Sequence, residues 1–134
     1  MIRRIPLNSL TKAMYERLKN CQTTPVYGDV PTEAQIPYIT FGNFTCKPSG
    51  TKINDVSDVS FNVDIWSQYS GTKEVNEIAD DVINVVMAAL FDLTADNYEH
   101  LQSEVDFMES YPEDDYGYHG VITFLFKVRN NLNH

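Results

Sequence analysis

Three histidines are the side chains of this sequence best suited to moving protons near neutral pH. They are His100, His119 and His134, and none has a partner at the spacing of a metal site. His119 stands between Tyr118 and Gly120 at the start of an apolar segment, where a catalytic base is conceivable. A half-exposed histidine at a strand edge is the more common arrangement, and we expect that arrangement for His119.

The densest group of carboxylates is formed by Glu113, Asp114 and Asp115, between two segments with strand character. Carboxylate oxygens are ligands for hard cations, but the spacing does not match an EF-hand loop. A solvated hairpin tip therefore explains the cluster better than a cation site does. We interpret the tip as a contact surface that becomes ordered on assembly.

Other residue types that do chemistry lack the spacing that their reactions need. The six glycines are scattered, and the sequence contains neither a GxxxxGK[ST] phosphate loop nor a GxGxxG run. No GxSxG nucleophile motif occurs, and Asp80 and Asp81 fall in a helical pattern, where a solvated face is expected. Cys21 and Cys46 stand apart, which favours reduced thiols over a zinc site or a disulfide. We therefore predict no enzymatic activity, no cofactor and no metal.

Length and charge restrict the class of protein further. The 134 residues are expected to form a single domain, residues 1–134, with flexible ends at residues 1–6 and 130–134. The formal net charge is −9, so a free-standing domain should repel nucleic acid. Neither a secretion signal nor a membrane-spanning apolar run is recognisable. We expect the protein to stay in the cytosol without a membrane partner.

Hydrophobic periodicity predicts an α+β fold with the order helix–strand–strand–helix–strand–strand. The predicted helices cover residues 7–19 and 73–91, and the predicted strands cover residues 38–45, 59–66, 104–109 and 121–128. The strands are expected to form two hairpins that join in one antiparallel four-stranded sheet, with the helices packed on one face. The last strand is apolar on both sides, which predicts a central or covered position.

Local signals add detail to these elements. Asn8 or Ser9 is expected to cap the first helix, because their side-chain oxygens accept from free backbone N–H groups. Gly42 is expected to mark a bulge or a close approach of the backbone in the first strand. In the third strand, Val105 and Phe107 are both expected to point into the core.

Several aromatic residues are candidates for a surface outside the core. Trp66 falls on the outward side of an alternating strand, and Tyr69 follows it closely. Trp66 either packs under the first helix or a loop, or anchors a protein–protein contact, where aromatic residues are enriched. Phe124 and Phe126 lie on the strand that is apolar on both sides, which makes them candidates for the same surface. The candidate interface residues are Trp66, Tyr69, Phe124, Phe126, Glu113, Asp114 and Asp115.

A series of short motifs follows the first helix in a fixed order. It comprises VYGDVP at residues 26–31, IPYITFG at residues 36–42 and VDIWS at residues 63–67, followed by a Ser70–Gly71 break and a long helix from Glu74 to Leu90. Over about residues 5–129, this pattern resembles the tail completion, or tail-to-head joining, proteins of long-tailed (siphovirus) bacteriophages. The general character of the sequence is similar to members from phages of Gram-positive hosts.

The resemblance implies an α+β structural protein without enzymatic activity that assembles as a ring, commonly a hexamer. The ring is expected at the head-proximal end of the tail tube, where it stops tube growth and joins the tail to the DNA-filled head. The implied partners are other copies of the chain, the tail tube protein and a head completion or neck protein, while phage DNA passes through the ring without specific binding. The implied location is the head–tail junction of the virion, after assembly in the host cytoplasm.

Two other classes of function fit parts of the sequence. One is a head completion or neck protein on the capsid side, although such proteins tend to be smaller and more helical. The other is an acidic inhibitor or binding module that mimics DNA. Its carboxylates would have to follow one face, whereas here they are spread over loops and helix starts. The tail completion interpretation is therefore preferred.

Overall fold

The computed structural model describes residues 4–50, 55–68, 71–113 and 117–131, which form two α-helices and a four-stranded sheet. The helices are α1 (Leu7–Cys21) and α2 (Lys73–Met87). The strands are β1 (Tyr38–Pro48), β2 (Val56–Ser67), β3 (Tyr98–Pro112) and β4 (Tyr118–Asn130), and a short 3-10 helix (Thr94–Asp96) precedes β3. Within the described ranges, neither helix is long and apolar enough to cross a membrane.

The sheet has the strand order β1-β2-β4-β3, and every neighbouring pair is antiparallel. β1 with β2 and β3 with β4 form the two predicted hairpins, which join through the long β2–β4 pairing. β4 is therefore a central strand, as its two apolar faces predict. The α+β fold class is confirmed.

The core lies between the two helices and one face of the sheet. Along β2 the odd-numbered residues from Val59 to Ile65 are buried, while the residues between them are only partly buried on the opposite face. This alternation is the two-residue period of a strand with one covered face. We call the face that points away from α1 and α2 the outer face. The helix side of the core consists of Leu10, Met14, Leu18, Val75, Ile78, Ala79, Val82 and Val86.

The start of α1 differs from the prediction. The helix begins after Pro6, and no side chain there makes a capping hydrogen bond. Ser9 is buried within the helix and donates its hydroxyl proton to Asp96 Oδ2 at 2.5 Å, far away in the sequence. The expected cap at Asn8 or Ser9 is therefore wrong, because a tertiary partner uses the Ser9 hydroxyl.

The end of α2 also differs, since the helix stops at Met87 rather than near residue 91. Beyond it, Leu90 is 81% exposed, whereas Phe91 is buried again. The Phe91 N–H donates to His100 Nδ1 at 3.1 Å, which a continued helix would prevent. Because the helix ends at Met87, the Phe91 side chain can pack in the core.

Bulges modify both edge strands. The register of β1 with β2 shifts between Phe41 and Phe44, which confirms the bulge predicted at Gly42. In β3 the register shifts between Val105 and Phe107. Val105 packs against the core, but Phe107 is 48% exposed, so the expected inward position of Phe107 is wrong. The extra residue of a bulge moves the following side chain to the other face.

Phe124 and Phe126 do not lie on the outer face. They are 0% and 2% exposed, and Phe126 makes ring contacts with Phe61 and Phe91 at centroid distances of 6.4 and 6.1 Å. Both therefore belong to the core under the helices, which corrects their placement on an interface. At the end of the same strand, Asn130 was expected in a flexible tail, but its N–H donates to the Asp55 carbonyl at 2.7 Å.

Candidate functional site

The candidate site is a group of side chains on the outer face, at the end of the sheet where β3 turns into β4. The strand register places Trp66 of β2 beside His119 of β4, and His119 beside Tyr111 of β3. Asp64 lies two residues before Trp66 on the same face, and Glu113 directly follows β3. Three strands and the hairpin therefore contribute to one surface, which we call the Trp66 cluster.

Trp66 is half-buried and covers His119 on the outer face of the sheet. Its ring stacks on the His119 ring with a centroid distance of 3.9 Å and an interplanar angle of 15°. The indole Nε1–H donates to Thr40 Oγ1 of β1 at 3.0 Å. The predicted outward position is therefore correct, and the ring is held in one orientation by two neighbouring strands. Packing under α1 does not apply, because α1 packs on the other face of the sheet.

His119 lies beneath Trp66 and is buried, with 8% of its surface exposed. Its Nε2 lies 3.0 Å from Asp64 Oδ1, while its Nδ1 lies 3.0 Å from Glu113 Oε1 and 2.8 Å from the Tyr111 hydroxyl. The expected half-exposed edge position is therefore wrong, because β4 is central and the Trp66 ring covers the imidazole. Both ring nitrogens are occupied by the protein's own side chains, which suits a structural centre better than a catalytic base.

The hydrogen bonds of His119 can be arranged in two ways. A protonated imidazolium donates from both nitrogens, to Asp64 and to Glu113. A neutral ring with its proton on Nε2 donates to Asp64 and accepts the Tyr111 hydroxyl proton at Nδ1. Removal from water raises the pKa of Tyr111, and the nearby carboxylates of Glu113, Asp64 and Glu109 raise it further. The hydroxyl therefore keeps its proton and remains a donor.

The β3–β4 hairpin approaches the end of β2 closely. The Glu113 N–H donates to the Gly117 carbonyl at 3.1 Å. Gly117 has a φ of +104°, and a Cβ atom added to it would lie 2.0 Å from the Ser67 carbonyl oxygen. Glycine is required at this position by both the backbone angle and the space. The hydrogen bond from Glu113 to Gly117 and the close approach of Gly117 to Ser67 therefore fix the position from which Glu113 reaches His119.

The structure brings together some of the predicted interface residues and separates others. Trp66 and Glu113 meet at this site, Phe124 and Phe126 are in the core, and Tyr69, Asp114 and Asp115 lie outside the described residues. Sequence reasoning missed Asp64 and Tyr111. Asp64 shares the period of Trp66, but its contact with His119 depends on the pairing of β2 with β4, which no local pattern reveals.

Metal binding has no support in the described part of the chain. No three His, Cys, Asp or Glu residues there are grouped so that they could hold a metal ion. The Trp66 cluster instead has the composition of a protein contact, with a fixed aromatic ring surrounded by hydrogen-bonded polar groups. This arrangement suits a structural or binding role.

Comparison with known families identifies which one. The family model described as tail completion protein gp17 matches residues 12–129, most of the chain. The chain belongs to this family. It is therefore a structural protein of a phage tail and a component of the virion, as the resemblance implied. The Gram-positive host remains a prediction.

Solved structures contain the same fold. One similar chain comes from an entity described as the virion of native gene transfer agent (GTA) particle, with a TM-score of 0.81 and 16% sequence identity. The alignment covers 90% of this chain and 94% of that chain. At this level of identity the similarity shows a shared fold. Comparison with curated protein sequences finds no significant match.

Proposed function

We propose that the protein forms a ring, with about six copies, on the head-proximal end of the tail tube. The ring ends tube growth and presents a surface to which the DNA-filled head docks. The family match over residues 12–129 carries this proposal. The similar chain from a gene transfer agent virion supports it, because a domain of this fold occurs there in a phage-like particle.

The Trp66 cluster would supply one of the contacts with a partner. Its aromatic ring is held by His119 and Thr40 before a partner arrives, so little side-chain freedom is lost on binding. Its position beside Glu113 places it at the end of the sheet where β3 is followed by β4. We propose that this end of the sheet contacts the tail tube protein or the neck protein of the head, without catalysis.

The charge of the protein suits a ring around a DNA channel. With a net charge of −9, a ring of several copies repels the phosphate backbone. DNA would then pass without adhering to the wall, since tight DNA binding needs Lys and Arg to displace counterions.

An add-back experiment tests the proposal. Tails purified from a production strain that lacks this protein are mixed with the purified protein and with DNA-filled heads. Joined particles are then counted by negative-stain electron microscopy. We expect joining only when the protein is added to the tails. Restoration by preincubation with heads alone would assign the protein to the capsid side, and a folded protein that restores neither would refute the proposal.

The matched variants are Trp66→Ala and Lys73→Glu. Trp66 belongs to the proposed contact, whereas Lys73 is exposed at the start of α2, on the helix side of the sheet. We expect Trp66→Ala to restore far less joining than Lys73→Glu at equal concentrations of folded protein. Equal restoration would remove Trp66 from the contact without refuting the ring.

A further inference from the structure

Charge is distributed unevenly between the two sides of this domain. Residues 1–48, which contain α1 and β1, hold six of the ten Lys and Arg residues but only three of the 19 Asp and Glu residues. Residues 98–113, which contain β3, hold five carboxylates and neither Lys nor Arg. β1 and β3 are the two edges of the sheet, so Lys47 of β1 and the carboxylates of β3 lie at opposite edges, while Lys12, Arg17 and Lys19 belong to α1.

The β3 side presents an exposed aromatic ring among carboxylates. Phe107 is 48% exposed and Tyr111 is 40% exposed. The side chains of Glu104, Asp106 and Glu109 are exposed around them. Aromatic residues are enriched in protein interfaces, which makes the exposed Phe107 ring a candidate anchor, and carboxylates beside it favour a partner that carries positive charge.

The opposite side presents a groove of about 730 Å³ between α1 and β1. Its apolar wall is formed by Leu7, Tyr15, Tyr27 and Phe41, and Lys12 and Asp29 add one charge of each sign. Among the described residues, Lys12 forms no ion pair. The groove has room for an aromatic side chain and a free ammonium group for a carboxylate.

We propose that these two surfaces bind each other between neighbouring copies of the chain. Phe107 of one copy enters the α1–β1 groove of the next copy, and Lys12 of the second copy lies among the carboxylates of Glu104, Asp106 and Glu109 of the first. The contact joins unlike surfaces on opposite sides of the domain, and such a contact generates a closed ring when the rotation between copies closes. The inference rests on the proposed ring and assigns its subunit interface.

The two parts of the contact have different roles. Burial of the Phe107 ring would supply most of the affinity, because central aromatic anchors dominate protein interfaces. Lys12 and the carboxylates would set which edge meets which groove, because charge complementarity gives orientation and rejects wrong pairings. The same acidic edge would also repel a second β3 edge, which disfavours dimers that join like surfaces.

Charge reversal tests the pairing. The first variant is Lys12→Glu, and the second combines Asp106→Lys with Glu109→Lys. The third combines all three substitutions, so that the acidic side chain at position 12 again faces opposite charges at positions 106 and 109. Fluorescently labelled protein is added to tails that lack it, and bound copies per tail are counted by stepwise photobleaching. We expect each of the first two variants to lower the copy number at limiting concentration by about tenfold or more, and the third to recover most of it.

Matched controls are Lys73→Glu and Glu77→Lys, which reverse exposed charges on α2. They should load tails like the wild type, and all variants should keep the wild-type melting temperature. Phe107→Ser should lower loading, whereas Phe107→Leu should retain most of it. Normal loading of Lys12→Glu and Phe107→Ser would overturn the interface, and so would failure of the triple variant to recover. If the wild type itself does not load tails, the ring proposal fails instead.

Discussion

At the scale of single residues, Trp66 is fixed in one orientation although part of its surface reaches solvent. Its ring stacks on His119 at 3.9 Å, and its indole N–H donates to Thr40 at 3.0 Å. Beneath it, the two nitrogens of His119 each lie 3.0 Å from a carboxylate oxygen, of Asp64 in β2 and of Glu113 after β3. The cluster therefore connects three strands and presents one aromatic surface. Because part of the Trp66 ring reaches solvent and is available to a partner, we expect Trp66 to affect assembly more than folding.

Trp66→Ala tests this distinction. The substitution removes a stacked pair and a hydrogen bond, so we expect the free energy of unfolding to fall by about 1–3 kcal/mol. Urea denaturation measures that loss, and binding to tails measures the effect on assembly. Binding should decrease by about tenfold or more at a concentration where the variant is fully folded. Unchanged binding by the folded variant would contradict an anchor role.

Phe124→Ala provides the comparison from the core. Phe124 is 0% exposed, so its truncation should lower the free energy of unfolding by about 3–5 kcal/mol. Its effect on tail binding should only follow the fraction of unfolded protein. A binding defect in the fully folded Phe124→Ala variant would show that Phe124 contributes to an interface after all.

His100 makes a prediction about pH. It is buried, its Nδ1 accepts the Phe91 N–H, and its Nε2 lies 2.6 Å from Ser103 Oγ, so the neutral ring fits this site. Burial lowers the pKa of His100 below the value of about 6.5 expected in the unfolded chain. Below that pH the unfolded chain binds a proton that the folded protein does not. Stability from this residue should therefore decrease as the pH falls from about 6.5 towards the folded pKa.

Urea denaturation between pH 7.5 and pH 5.5 measures this effect. The free energy of unfolding should decrease more steeply with falling pH in the wild type than in His100→Gln, by up to about 1.4 kcal/mol per pH unit. Gln keeps a hydrogen-bonding side chain but does not titrate. Parallel pH profiles would contradict a lowered pKa for His100.

At the scale of elements, the packing of α2 on the sheet depends on Gly120. A Cβ atom at this position of β4 would lie 2.6 Å from Val75 Cγ2, on the buried face of α2. Gly120→Ala should therefore lower the free energy of unfolding by about 1–3 kcal/mol through overpacking. Gly28→Ala is the control, since no heavy atom lies within 4 Å of its added Cβ. It should change stability by less than about 0.5 kcal/mol, and equal effects in the two variants would contradict the account.

The elements also show what the sequence could predict. The alternation of β2 and the helical periodicity of α2 are local patterns, and both element types were predicted correctly, although α2 ends at Met87. Phe107 was misplaced because a single bulged residue reverses the faces of an edge strand. Ser9 was misassigned because its partner, Asp96, lies 87 residues away.

The same limit applies to the candidate site. Trp66 could be selected from its period and its residue type. The side chains that hold Trp66 in place could not be predicted, because His119 and Asp64 are 55 residues apart and meet only through the β2–β4 register. Local patterns therefore predict which residue is a candidate for an interface, while the pairing of distant strands determines which side chains hold it in position.

At the scale of the whole molecule, the net charge of −9 predicts behaviour towards DNA. The purified protein should not retard double-stranded DNA in a gel-shift assay at low salt, because too few Lys and Arg residues are available to release counterions. A basic protein of similar size serves as the positive control. Retardation that weakens steeply with added salt would indicate a DNA-binding surface and would contradict a passive channel wall.

The most direct test of the central claim is the position of the protein on the tail. Tails are purified after assembly with a tagged copy of this chain, labelled with gold particles against the tag, and imaged by negative-stain electron microscopy. We expect label at one end of each tube, the end opposite the tip that contacts the host, in free tails as well as in complete virions. Label along the tube, at the distal tip, or only on heads without tails would contradict it.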